Sequence, residues 1–182
     1  MPVRLRAVSG RKGTMVNLVI AMECFGIGLS VIALLLLLNG DGAREQKLLI
    51  LIMCGSLVQN IGYLLELTAS SLDAAMTAVT VENVGSAFVP LCYCWFIYIY
   101  CYAVPPKRLL KVLGAISFFA LPSVFFNWNG LFYRGVEWLA DANGFYHVSI
   151  TYGPLYVVFL FSRIIIPYAL CICTLLKAIR ER

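Results

Sequence analysis

Residues 15–38 read MVNLVIAMECFGIGLSVIALLLLL. A helix that crosses a bilayer needs about 20 consecutive apolar residues. This run is longer than that and contains one ionisable side chain, Glu23. It is too long for the apolar core of a signal peptide, and no small-residue cleavage site follows it. Asn39-Gly40-Asp41-Gly42 follows instead, which is a turn sequence. The run therefore reads as a first membrane helix.

The rest of the chain has the same character. Its 182 residues are 62% hydrophobic and 13% charged, with a mean hydropathy of +0.88. A soluble domain is about 45–50% apolar and about 25% charged. A disordered chain needs low hydrophobicity and high net charge. Both classes are excluded, and the length leaves no room for a soluble catalytic domain beside the spans. We expect no enzyme. The net charge of +5, from 14 Lys+Arg against 9 Asp+Glu, marks loops at one membrane face. A nucleic-acid partner is excluded, since no soluble stretch carries a basic stripe with interleaved aromatics.

Apolar runs predict helices at about 15–38, 48–67, 75–102, 109–126 and 154–176. The predicted fold class is an all-α integral membrane helical bundle of about five transmembrane helices, with one extracellular hairpin-like loop. Pro90, Pro122 and Pro167 are expected helix kinks. Loop 127–153 contains FYRGVEWL and FYHVSITY around Asp141-Ala142-Asn143-Gly144, two β-prone segments about a turn. Its aromatic side chains suit the membrane interface.

Charge sets the expected orientation. Of the two loops on the hairpin side, only Arg134 is basic. The other side carries Arg44, Lys47, Lys107, Arg108, Lys111, Lys177, Arg180 and Arg182. Basic residues favour the cytoplasm. The C-terminus is then cytoplasmic and loop 127–153 extracellular, in the cell membrane. The tail residues Arg4, Arg6, Arg11 and Lys12 oppose this. We expect Met15 to be the natural start, with residues 1–14 a basic leader from a misplaced start.

Polar groups inside the spans are informative, because each costs about 2.5–3.5 kcal/mol at mid-helix on insertion scales. The ionisable ones are Glu23, Glu66, Glu82 and Arg163, accompanied by Asn60 and Asn83. At about 1.5 Å per residue, the carboxylates fall in the outer half of the bundle, with Arg163 deeper. Two readings are open. The group forms a ligand- or ion-sensing site, or it is internal glue in which Arg163 pairs with Glu82 or Glu23 and Glu66 reaches the interface.

Other chemistry finds little support. The seven cysteines lie in apolar runs without zinc spacing, and read as packing thiols. His147, the one histidine, lacks partners for a metal. No cofactor and no metal site are expected. Every lysine lies near a helix end or in a tail, which removes a retinal Schiff base.

The third run contains Glu82-Asn83-Val84-Gly85, then Pro90, then the aromatic half Tyr93 to Tyr98. Helix two has Gly62-Tyr63-Leu64-Leu65-Glu66, and helix five opens with Tyr152-Gly153-Pro154-Leu155-Tyr156. Together they resemble the N-terminal seven-transmembrane region of bacterial histidine kinases. The resemblance spans about Met15 to Arg182. It implies a non-enzymatic sensory input module, with a bilayer environment and a cytoplasmic kinase or cyclase output partner; a homodimer is a further expected association. It also implies seven helices, so the chain is expected to be truncated at its C-terminus and to lack its own output domain. The alternatives are a subunit of a small oligomeric transporter or channel, and a structural membrane subunit.

Overall fold

The computed structural model describes residues 12–40, 42–140 and 146–180. Residues 1–11, and with them most of the expected leader 1–14, Asp41, residues 141–145 and residues 181–182 lie outside the described residues. Helix α1 covers Lys12–Leu38, α2 Arg44–Leu67, α3 Leu72–Ser86, α4 Val89–Tyr100 and α5 Lys107–Phe126. Strands β1 (Tyr133–Ala140) and β2 (Tyr146–Tyr152) follow, then α6 (Pro154–Leu160), a π turn (Phe161–Ile165) and α7 (Ile166–Arg180). Among the described residues five stretches are long and apolar enough to cross a membrane: Asn17–Leu38, Arg44–Leu67, Leu72–Tyr100, Lys107–Phe126 and Pro154–Arg180. The fold is a membrane helical bundle carrying one antiparallel hairpin.

Several helices outrun the apolar stretches that predict them. α2 begins at Arg44, the fourth span at Lys107, and the fifth continues to Arg180. Long basic side chains at a helix end lay their stems on apolar surface and keep the charge in water, so charge does not stop these helices. Two spans are also not continuous. The third breaks at Ala87-Phe88, with Pro90 in the first turn of α4 rather than in a helix interior. There its missing N–H costs nothing. In the fifth, Ile166 N–H bonds to the Phe161 carbonyl, five residues back. Pro167 follows directly; its ring crowds the preceding turn and it has no N–H to donate. The wider π turn accommodates both. Pro122 sits inside α5, which continues to Phe126.

The tightest packing is between α2 and α3. A Cβ on Gly62 would lie 2.5 Å from Glu82 N, and one on Gly85 would lie 2.8 Å from Gly55 O. The backbones touch where only glycine fits. In lipid no hydrophobic drive brings helices together, and close contact of this kind takes its place. By contrast α1 packs on α2 and leaves Leu18, Met22, Phe25 and Leu36 exposed.

The hairpin is anchored through Asn127, whose φ of 39° is left-handed. Its Oδ1 accepts from Phe132 N at 3.2 Å and Tyr133 N at 2.8 Å, and its Nδ2 donates to Tyr133 O at 2.8 Å. Gly153 N donates to Phe132 O at 2.8 Å, and Leu155 N to Leu131 O at 3.0 Å. Phe132 is fully buried, edge-on to Tyr156 and Phe159. The base of the hairpin is thus fixed to the start of α6. Alternate residues Val148, Ile150 and Tyr152 share one face, as strand geometry dictates, and that face looks onto the helices.

A candidate ligand cavity beneath the hairpin

α3 carries polar residues at 82, 83 and 86, one stripe on a helix. Ser86 Oγ donates to the Glu82 carbonyl at 2.7 Å. Asn83 Nδ2 donates to Val79 O at 2.9 Å and to Tyr133 Oη at 3.4 Å. Arg163, in the π turn, completes the arrangement. Its Nη1 donates to Asn83 Oδ1 at 3.1 Å, and its Nη2 donates to Ser86 Oγ. Its Cζ lies 5.0 Å from the centre of the Phe159 ring. The Arg163 Nε is buried with no hydrogen-bond partner among the described residues. A charge placed this way links α3 to the fifth span through the irregular turn ahead of α7.

Beside it is a cavity of about 170 Å³. Glu66 from α2, Glu82 and Asn83 from α3, Tyr152 from β2, Tyr156 from α6 and Arg163 supply its polar lining. Val79, Val148, Ile150, Phe159, Leu160 and Ile164 supply the apolar walls. The hairpin roofs it. Tyr152 and Tyr156 stack with ring centres 3.6 Å apart and planes 15° from parallel. Burial, then the neighbouring Tyr156 phenol, pushes the Tyr152 phenol up to about 12. Burial, then Tyr152, holds the Tyr133 phenol well above its ordinary range. Both hairpin phenols therefore stay neutral and act as dipoles.

Four of the expected site residues meet here: Glu66, Glu82, Asn83 and Arg163. Glu23 is partly buried on α1, and Asn60 partly buried on α2; neither lines the cavity. Arg163 hydrogen-bonds an amide and a hydroxyl, Asn83 and Ser86. Ser86, Tyr152 and Tyr156 are additional members. The spacing of Ser86 from Glu82 and Asn83, at i+4 and i+3, is the signal for it. The two tyrosines need the hairpin's path to be known. The side chain of His147 lies outside the described residues.

An apolar bundle with a lidded polar cavity at one end defines a multi-pass membrane protein with a candidate ligand site in its helices. The family model for the N-terminal 7TM region of histidine kinase matches residues 20–182, and the chain belongs to that family. Comparison with curated proteins and with solved structures gives no match.

Proposed function

We propose that the chain is the membrane-embedded sensory input module of a bacterial signal-transduction protein, and that the cavity beneath the hairpin receives the stimulus. The observation that carries this is Arg163. It sits at the cavity, in a π turn, and holds α3 to the span that ends in α7. π turns within helices are frequent at functional sites. A ligand shifts such an equilibrium only by its differential affinity for the two states. A ligand that competes for Asn83 or repositions Arg163 has that differential contact.

The orientation that fits has the hairpin outside. Arg44 opens α2, Lys107 opens α5 and Arg180 closes α7. All three ends are opposite the hairpin, and basic residues favour the cytoplasm. Glu66 and Glu82 then face the outer half, and α7 leads inward to a kinase or cyclase output.

The test needs no known stimulus. In a fusion to a histidine-kinase output, Arg163→Gln removes the charge that holds α3 to the π turn. Resting autophosphorylation should shift several-fold, while Phe118→Ala, on an exposed position of α5, leaves it unchanged. Identical resting levels for Arg163→Gln and wild type reject the proposal. Solute flux through the purified chain in proteoliposomes, with unresponsive output, would favour the transporter alternative.

A further inference from the structure

We propose that the groove between the ends of α4 and α7, on the face opposite the hairpin, holds an anionic phospholipid with its headgroup at Lys177. This site is separate from the cavity and does not depend on the sensing role.

Position sets the first limit. The groove measures about 520 Å³. Tyr98 and the turn 101–104 line one side, and Cys173, Thr174, Lys177 and Ala178 of α7 line the other. Tyr98 and the α7 residues belong to the third and fifth spans. Beside the groove on α7, Ile172, Leu176 and Ile179 are exposed. An exposed apolar strip on a span faces lipid, so the groove is reached through the bilayer.

Polarity along the groove sets the second. Cys173 lies four residues before Lys177, about 6 Å deeper at about 1.5 Å per residue. Thr174, between them, spends its hydroxyl on the Leu170 carbonyl at 2.7 Å. The carbonyl end of α4 is closed on itself. The N–H groups of Cys101, Tyr102 and Ala103 donate to Ile97 O, Ile99 O and Tyr98 O at 2.9, 3.0 and 2.9 Å. Tyr102 then takes a left-handed φ of 54°. At the rim, Tyr102 and Val104 are 96% and 87% exposed, and tyrosine is enriched where lipid meets water. The groove thus runs from a weakly polar deep end to a charge at the interface. An inorganic anion matches its rim, a neutral hydrocarbon its deep end, and a phospholipid both.

Charge sets the sign, whatever contacts Lys177 itself makes. Without it, the described residues on this face include Arg44, Lys47, Lys107, Arg108, Lys111 and Arg180 against Glu45. Counting Asp41 and Glu181, which lie outside the described residues, leaves the excess positive. Three of these charges are tied to the groove. Lys107 follows Val104 by three residues, and Arg180 follows Lys177 by three on the same helix. Arg44 Cζ stands 5.6 Å from the centre of the Trp95 ring, one turn before Tyr98 on α4. Basic pockets between spans at a cytoplasmic face hold anionic headgroups.

The probe is phosphatidylglycerol against phosphatidylcholine with the same acyl chains, in equal parts in nanodiscs holding the purified full chain. Lipid retained after release into mild detergent is read by native mass spectrometry. Phosphatidylglycerol should be retained over phosphatidylcholine by about fivefold, the equivalent of about 1 kcal/mol for one basic residue near an anionic headgroup. Lys177→Gln should remove that preference. Cys173→Phe, which fills an exposed part of the groove, should lower retention of both lipids. Lys111→Gln takes the same charge from the same face without lining the groove, and should leave the preference unchanged. Excess glycerol phosphate should displace nothing. Two groove variants are used so that misfolding of one, seen by circular dichroism, does not decide the result. Equal retention of the two lipids by folded wild type would overturn the inference. So would a preference that survives both groove variants, or one that Lys111→Gln abolishes equally, which is diffuse charge rather than a site. Displacement by glycerol phosphate would also overturn it, in favour of a free-phosphate site.

Discussion

Gly62→Ala should loosen the bundle at the cavity. The new methyl would stand 2.5 Å from Glu82 N, 2.8 Å from Glu82 Cα and 3.0 Å from Ala78 O. All are backbone atoms, so no rotamer change relieves the contact. Ordinary contact begins at 3.4 Å, so α3 must retreat from α2 by about 0.9 Å, and overpacking of this kind costs about 1–3 kcal/mol. Gly26→Ala on α1 is the matched control. Its methyl meets nothing within 4 Å, and alanine is favoured over glycine in a helix by about 0.5–1 kcal/mol. The two variants should differ in unfolding free energy by about 1.5–4 kcal/mol, with opposite signs relative to wild type. Reversible unfolding by SDS in mixed micelles, followed by circular dichroism, measures this. Gly62→Ala as stable as wild type, or Gly26→Ala equally damaging, would refute the close α2–α3 packing that positions Glu82.

Other expectations follow from the hairpin and the π turn. Asn127→Ala removes three hydrogen bonds at the hairpin base, worth about 1.5–4.5 kcal/mol at roughly 0.5–1.5 each. Amide exchange of Phe132 and Tyr133 should accelerate in Asn127→Ala, and unchanged protection would count against the anchor. Because the Tyr152 phenol is pushed up to about 12 by burial and Tyr156, it ionises later in the folded chain than in the unfolded one, where tyrosine titrates near about 10. Stability held below about pH 10 is then lost as the pH rises toward about 12. Tyr152→Phe should flatten that loss in alkaline unfolding curves. Pro167→Ala restores the N–H whose absence accompanies the π turn, and should shift the resting output of a kinase fusion. An unaltered output would remove the π turn from the relay.

The membrane class was legible because it depends on sums: an apolar stretch of sufficient length has few other solutions. The hairpin was legible from two β-prone segments about a turn. Details set by three-dimensional contact were not. Pro90 suggests a kink from sequence, yet the chain breaks at Ala87-Phe88 and uses the proline to start a helix. A π turn leaves no local signature beyond Pro167. For the site, membership of a polar group inside a span is visible, but its partner is not. Glu23 and Glu82 look equivalent in sequence; packing sends α3 to the cavity and leaves α1 at the margin. Tyr156 looks like any interfacial aromatic until the hairpin brings Tyr152 onto its ring.

The most direct measurement is the stimulus dose response of the kinase fusion, comparing wild type with Glu82→Gln at matched membrane levels. Loss of a hydrogen-bonding charge at a ligand site costs about 1.5–3 kcal/mol. The midpoint should therefore move by about tenfold or more while maximal output is retained. Superimposable curves would contradict the claim that this cavity is where the signal enters.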